Sequence, residues 1–238
     1  MEMQTKTQQG DRFGSRGRAF ESGRTPFDGL RAWSAITHGI GGVLALIGTI
    51  FLLFKTLPDA SASSFAGVLV FGISLIALYT GSTLYHSIRC SENGRILLRK
   101  VDHTAVYCLI AGTYTPVCLA WLPGTFGIAL LGTIWTLSLV GSILSFRWIN
   151  MPRKLTAGIY IALGWLSVAA LPFIYAHVGI RPILWLLCGG VLYTLGGVMY
   201  ALKWPGRHNP NFGCHEIFHV FIVLGSIVHY AMIYACIA

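Results

Sequence analysis

The chain has 238 residues, of which 55% are hydrophobic and 11% are charged, and its formal net charge is +9. A soluble domain carries about 25% charged residues, so this composition excludes an ordinary water-soluble globular protein. It favours an all-α membrane protein, with too few polar residues to cover two soluble domains. Six cysteines form no CxxC pair and indicate no disulfide framework.

Basic residues dominate the start of the chain. Those in the first 31 residues are Lys6, Arg12, Arg16, Arg18, Arg24 and Arg31. Because this segment has neither a short apolar core nor a small-residue cleavage site, it does not resemble a cleaved signal peptide. We therefore expect a basic, disordered tail over residues 1–31, followed by a transmembrane domain over residues 32–238.

Seven stretches reach the roughly 20 mostly apolar residues that a helix needs to cross a bilayer. They cover residues 32–54, 64–88, 103–121, 126–148, 155–175, 183–202 and 214–237. The connections between them are short and carry proline and glycine turn signals. The sequence therefore predicts seven transmembrane helices in one domain.

The basic residues also predict the orientation of these helices. Of the 17 Lys and Arg residues, only Lys55 and Arg181 fall on the side of the membrane opposite the tail. Cytoplasmic segments are enriched in Lys and Arg, so we expect a cytoplasmic N-terminus and an external C-terminus. The positive charge then reflects topology and contact with anionic lipid, and nucleic-acid binding is not needed to explain it.

Three segments carry histidine or carboxylate at membrane depth, where ionisable side chains are costly and usually functional. They are Ser82-Thr83-Leu84-Tyr85-His86, Asp102-His103 and His215-Glu216-Ile217-Phe218-His219. Given the predicted helix directions, all three segments lie near the cytoplasmic face. We therefore expect them to converge at one depth.

The histidines suit a metal. His215 and His219 are four residues apart and share one helix face, so both imidazoles can reach one ion. Together with His86 they provide three nitrogen ligands, and three imidazoles with one open position are typical of a catalytic zinc site. Asp102 suits a role in holding the water at that position or taking its proton. Ser82 lies one turn before His86 on the same face and is the second catalytic candidate.

Packing or an interfacial position is the alternative role for this histidine pair. Glu216 completes an HExxH-like pattern, but it lies about 100° around the helix from the histidine face. We therefore expect Glu216 to be interfacial and not the base of a protease.

Other histidines have less specific surroundings. His38 is either a pathway residue or a packing residue. His103 is rotated by about 100° from Asp102, so only one of the two is expected to face the site squarely. His229 lies roughly 21 Å beyond His215 along its helix and is predicted to be a hydrogen-bonded core residue.

At these motifs the chain resembles the hemolysin III family, the bacterial branch of the progestin and adipoQ receptor (PAQR) superfamily. The resemblance covers nearly the whole chain after about residue 30. It depends on Thr37-His38-Gly39-Ile40-Gly41, Ser82 to His86, Asp102-His103, Ala111-Gly112-Thr113-Tyr114-Thr115-Pro116, His215-x-x-x-His219, Gly225-Ser226 and His229.

The resemblance implies seven helices with an intramembrane zinc near the cytoplasmic face, bound by His86, His215 and His219. Asp102 matches the aspartate that reaches the metal through water, and Ser82 matches the motif serine. One departure is visible in the first helix. The family pattern E-x-x-N-x-x-x-H places glutamate and asparagine where this chain has Arg31 and Ser34, so roles of those residues in relatives do not carry over directly.

The resemblance also implies a role in membrane lipid homeostasis or in hydrolysis of lipid amides, whereas the family name refers to hemolysis. The leading hypothesis is a zinc-dependent hydrolase of lipid amides or esters, or a lipid-sensing enzyme of membrane-lipid homeostasis, in the bacterial inner membrane. Alternatives are a receptor or regulator with a structural zinc, a hemolysis-associated cytolytic protein, and a metal or proton transporter. A secreted pore-forming toxin is disfavoured because seven obligatory spans prevent a soluble form.

Overall fold

The structure is a computed structural model, and it describes residues 30–57, 61–122, 124–206, 209 and 211–237. Within these residues the secondary structure is entirely helical, with no β-strand. The all-α prediction is therefore confirmed. Most of the predicted tail, residues 1–29, lies outside the described residues.

The described helices follow one another with short connections. They are α1 (Ala32–Thr56), α2 (Ala62–Ser87), α3 (Glu92–Ala120), α4 (Gly124–Arg147), α5 (Arg153–Trp165), α6 (Leu171–Val178), α7 (Ile180–Leu202) and α8 (Cys214–Cys236). A 3₁₀ segment, Leu166–Ala170, joins α5 to α6. The fifth predicted span is therefore one interrupted helix.

Six candidate membrane spans occur in the described part of the chain: α1, α2, α4, the interrupted α5–α6 helix, α7 and α8. Each is long and apolar enough to cross a bilayer, so the chain is a multi-pass membrane protein. The predicted span over residues 103–121 falls in α3, which begins earlier, at Glu92. The first turns of α3 carry Arg95, Arg99 and Lys100, and this helix is not among the six.

Helix α3 packs against α2 and α4 and also contacts α5 and α8. Residues 111–118 of α3 are all buried. Their polar groups are paired internally: the Thr113 and Thr115 hydroxyls each donate to the carbonyl four residues earlier, at 2.8 Å. Buried polar groups that are hydrogen-bonded are tolerated inside a membrane protein, so α3 can be less apolar than the helices around it.

The interruption between α5 and α6 is also satisfied by α3. The Tyr114 hydroxyl lies 2.8 Å from the Leu163 carbonyl and 2.7 Å from the Gly164 carbonyl, and it donates its proton to these acceptors. A change from α-helix to 3₁₀-helix leaves carbonyls without their usual partners. Tyr114 therefore stabilises the break inside the bundle.

Two glycines let α2 and α3 approach closely. A Cβ atom at Gly67 would lie 2.8 Å from Pro116 Cα, and one at Gly112 would overlap the Ser74 side chain. Small residues permit this kind of close helix contact in membranes. The tight contact fixes the helix that carries Ser82 and His86 against the helix that carries Asp102.

Candidate metal centre

The structure brings the three predicted ligands together. His86 lies in the last turn of α2, and His215 and His219 lie in the first two turns of α8. Each imidazole has a nitrogen within 4.8 Å of the others. The Nε2 atoms of His86 and His215 are 3.3 Å apart. This group can hold a metal ion.

The geometry and environment of the group suit zinc. Two nitrogens that each lie 2.0 to 2.1 Å from a tetrahedral zinc are about 3.3 to 3.4 Å apart, which matches the observed separation. His86 and His219 are each only 2% exposed. The Nδ1 atoms of His215 and His219 are buried and have no hydrogen-bond partner among the described residues. Three neutral imidazoles are a donor set that zinc accepts readily.

A cavity of about 150 Å³ lies beside the imidazoles. Ser82, Asp102, His215 and His219 all line it. Ser82 is 1% exposed, and its hydroxyl is within interaction range of the Asp102 carboxylate. Both predicted catalytic residues therefore share one cavity with two of the predicted ligands.

Away from the imidazoles the cavity wall is largely apolar. Residues from five helices contribute to it, namely Val106 and Leu109 of α3, Leu130 of α4, Ile174 of α6, Leu186 of α7 and Ile222 of α8. Such a wall provides no hydrogen bonds for water and accommodates hydrocarbon. Ser82 and Asp102 lie at the end of the cavity next to the imidazoles, and Thr113, Ser167, Thr194 and His229 are polar residues elsewhere in its lining.

His38 belongs to the site, although the sequence left its role open between a pathway and packing. Its ring stacks on His219 with centroids 3.8 Å apart and meets Tyr79 edge-on at 5.1 Å. His38 is 3% exposed, and neither ring nitrogen has a hydrogen-bond partner within the described chain. In the sequence, the signal for His38 was its place in the resembled first-helix pattern Thr37-His38-Gly39-Ile40-Gly41.

Two further histidines line the same cavity. His103 does so together with Asp102, so their difference in helical angle does not separate them as expected. His229 lies deeper, where its Nε2 is 3.3 Å from the Leu186 carbonyl. This bond agrees with the predicted role of a hydrogen-bonded core histidine, and His229 is outside the three-histidine group.

The expectation that Glu216 is interfacial is wrong. Its side chain is 3% exposed and forms an ion pair with Arg31, with 3.0 Å between Nη1 and Oε1. The Ser34 hydroxyl donates to the same oxygen at 3.4 Å, and the Gly213 amide donates to Oε2 at 2.8 Å. Because Arg31 approaches from a distant part of the sequence, helical position alone could not reveal this pairing. Because both oxygens of the Glu216 carboxylate already have hydrogen-bond partners, a role of Glu216 as the base of a protease is disfavoured.

Arg31 connects the two helices that carry the imidazoles. Its guanidinium binds Glu216 in the first turn of α8, and its backbone amide donates to the His86 carbonyl at 3.1 Å. We call Arg31, Ser34 and Glu216 the Arg31 clasp. The two positions at which the first helix departs from the resembled pattern, Arg31 and Ser34, therefore both contact Glu216 in this chain.

A second arginine holds the end of α2. Arg95 Nη1 donates to the Tyr85 carbonyl at 2.6 Å and to the Ile88 carbonyl at 3.0 Å. Basic side chains near a helix C-terminus satisfy its last carbonyls and interact favourably with its dipole. Arg95 and the Arg31 clasp thus fix the turn that presents His86.

The part of the chain that carries the site matches a known protein family. A family model described as Haemolysin-III related matches residues 31–230, which include all three histidines and Asp102. The chain belongs to this family.

Relatives of this haemolysin-III-related chain include bacterial proteins of similar length. It is 35% identical over 205 residues to the hemolysin-3 homolog of Bacillus subtilis, covering 86% of this chain and 93% of that protein. It is 36% identical over 205 residues to hemolysin-3 of Bacillus cereus, covering 86% and 88%. It is 28% identical over 221 residues to the adiponectin receptor protein of Drosophila melanogaster, covering 82% and 48%. These similarities support the placement in the hemolysin III and PAQR group.

The clasp generates a stability prediction. Replacing Arg31 by Gln leaves the buried Glu216 carboxylate without its cation, and the free energy of unfolding should fall by about 1 to 3 kcal/mol. Thermal unfolding in detergent measures this change. The matched control is Lys154→Gln, which removes an exposed positive charge and should leave the midpoint nearly unchanged. Equal midpoints for Arg31→Gln and the wild type would contradict a stabilising clasp.

Proposed function

We propose that this protein is a zinc-dependent membrane hydrolase that acts on lipid amides or esters. The observation that carries the proposal is the position of three closely spaced imidazoles at one end of a largely apolar cavity inside a membrane protein. A reactive polar end joined to an apolar chamber suits a lipid that has one polar linkage and one hydrocarbon chain.

Each residue of the site has a role in this proposal. His86, His215 and His219 would hold the metal, and zinc when bound polarises a carbonyl and makes a neighbouring water more acidic. Asp102 accepts the proton of the attacking water and returns it to the leaving group. Ser82 has a buried hydroxyl in the same cavity, beside Asp102, and it donates to the substrate carbonyl or orients the water.

The apolar part of the cavity would bind the acyl chain. When the acyl chain of the lipid lies between α3, α5 and α7, its amide or ester group lies at the imidazole end of the cavity. Membrane lipids are therefore the proposed substrates. Burial of the chain also removes bulk water from the linkage, which strengthens electrostatic interactions with the reacting groups.

We further propose that α3 also crosses the membrane, which brings the number of spans to seven. We propose as well that the N-terminus, with its basic tail over residues 1–31, is cytoplasmic. The buried second half of α3 and the basic residues at its start fit this arrangement. The imidazoles then lie near the cytoplasmic face of the bacterial inner membrane.

Reporter fusions test this topology. Alkaline phosphatase fused after Ala238 should be active and green fluorescent protein at the same position should be dark, because only the first matures outside the cytoplasm. A fusion in the α2–α3 connection should give the opposite pattern. A bright fluorescent fusion after Ala238 would overturn both the orientation and the proposed depth of the site.

Metal content tests the ligand set. Purified wild type should contain about one zinc per chain, and His86→Ala, His215→Ala and His219→Ala should each lose it, because two imidazoles are too few for a stable site. The control His229→Ala removes a buried histidine outside the group and should keep its zinc. Zinc loss in the control but not in the three variants would refute the assignment.

Asp102→Asn separates a catalytic zinc from a structural one. Asparagine still holds water but cannot take its proton, so lipid-amide hydrolysis in reconstituted bilayers should fall roughly 10² to 10⁴-fold with zinc content unchanged. If zinc is structural in a receptor or regulator, the same change should mainly weaken metal affinity, by about 10 to 100-fold. Absence of turnover by the wild type on lipid amides and esters, both ceramides and phosphate-bearing lipids, would count against the hydrolase.

A further inference from the structure

Two arginines lie at the imidazole end of the cavity and take no part in the proposed chemistry. Arg99 in α3 and Arg153 at the start of α5 are both half-buried. The one ion pair in the described part of the chain joins Arg31 to Glu216. Neither Arg99 nor Arg153 therefore has a carboxylate within ion-pair distance among the described residues.

Helical geometry directs both arginines toward the cavity. In α3, Asp102 and His103 line the cavity and lie three and four residues after Arg99, on the same helix face. In α5, the cavity-lining residues Thr156 and Ala157 stand in the same relation to Arg153. Each arginine thus continues a lining stripe by one more turn, just beyond its last lining residue.

Contacts support this placement. The guanidinium of Arg153 lies over the Tyr200 ring, with Cζ 5.0 Å from its centroid. Tyr200 itself lines the cavity, and its ring centroid is 5.7 Å from that of His215. Arg99 and Arg153 are both within electrostatic interaction range of His103 and Tyr200. The two cations therefore lie near the same end of the cavity, next to the imidazoles, and Arg99 is also within electrostatic interaction range of the Asp102 carboxylate.

We propose that Arg99 and Arg153 form a binding site for the phosphate of an anionic lipid whose acyl chain enters the cavity. Guanidinium groups bind phosphate through paired charge-assisted hydrogen bonds. In a phospholipid the carbonyl lies between phosphate and hydrocarbon, and the structure has the same order: arginines, imidazoles, then apolar cavity. This inference depends on the proposed function for the chain-binding cavity, and it narrows the substrate class to phosphate-bearing lipids.

A general attraction of basic residues to the membrane surface would not distinguish Arg153 from its neighbour Lys154. Lys154 has the same charge at nearly the same depth, but it is exposed and lies about 100° around the helix from Arg153. Lys154 does lie three residues before the lining residue Ala157, but Arg153 is half-buried with its guanidinium over Tyr200, whereas Lys154 is exposed. This pair of neighbours provides a matched test of a specific site against surface charge.

Equilibrium binding to the purified full chain in neutral detergent tests the proposal. The two probes are oleoyl lysophosphatidic acid and monooleoylglycerol, which have the same acyl chain with and without phosphate. The wild type should bind the phosphate lipid at least about tenfold more tightly. Arg99→Gln and Arg153→Gln should each reduce that ratio by about tenfold, unless the ratio reaches one first, and Lys154→Gln should change it by less than about twofold.

Two further arms keep the result interpretable. Arg153→Lys retains the charge but lacks the planar fork of the guanidinium, so it should keep part of the preference for the phosphate lipid. It supplies the measurement at this position if Arg153→Gln fails to fold. Inorganic phosphate at the same concentration should not displace the lipid, because it lacks the chain that the cavity binds.

Each outcome has a defined reading. Equal affinity for both probes, or an equal loss in Lys154→Gln and Arg153→Gln, would overturn the phosphate site while leaving the acyl cavity intact. Binding of neither probe would overturn the acyl cavity and this inference together. Selective binding of the phosphate lipid without hydrolysis would support the site and count against the hydrolase.

Discussion

The ion pair between Arg31 and Glu216 is the contact on which the geometry of the candidate metal centre depends. The imidazoles come from distant parts of the sequence, because His86 lies in the last turn of α2 and His215 and His219 lie in the first two turns of α8. A carboxylate that is 3% exposed is costly unless a cation compensates it. Because Arg31 also donates its backbone amide to the His86 carbonyl, the interaction that neutralises Glu216 also holds the two ligand-bearing turns together.

The cavity borders the interrupted α5–α6 helix, and the free backbone carbonyls of that interruption need hydrogen-bond donors inside the bundle. An interrupted helix in a membrane exposes carbonyls that water cannot reach, and each unpaired group would cost several kcal/mol. The Tyr114 hydroxyl supplies the donor for Leu163 and Gly164. Close packing of α2 on α3 at Gly67 and Gly112 places Tyr114 and Asp102 on a helix with a fixed position. The apolar chamber and the polar end of the site are therefore parts of one packed unit around α3.

Local periodicity explains what the sequence could predict. The spacing of His215 and His219 requires only the geometry of one helix, and the alternating directions of the predicted spans predicted that His86 and Asp102 lie at the same end. The predicted span at residues 103–121 begins eleven residues after the start of α3 at Glu92, because the charged first turns of α3 are not apolar enough to be counted in a span. Charged residues lower the mean hydropathy of a sequence window even where the helix continues beyond the membrane. Hydropathy therefore does not reveal where such a helix begins.

Long-range partners could not be predicted in the same way. The position of Glu216 on its helix gave its angle from the histidines, but not the arginine 185 residues away that neutralises it. Likewise, stacking of His38 on His219 depends on how α1 crosses α8, and no periodic signal within one helix contains that information. Residues at helix–helix contacts are therefore the ones for which sequence reasoning left alternatives.

The clasp also limits what can be transferred from relatives. The resembled pattern places glutamate at the position of Arg31, and a glutamate there would face Glu216 across the same contact. Two carboxylates in such a buried place would repel each other, and one would have to be protonated. Arg31 and Glu216 must therefore be interpreted as a pair. A role assigned to the first-helix glutamate of another protein applies to this chain only if the residue opposite it is considered as well.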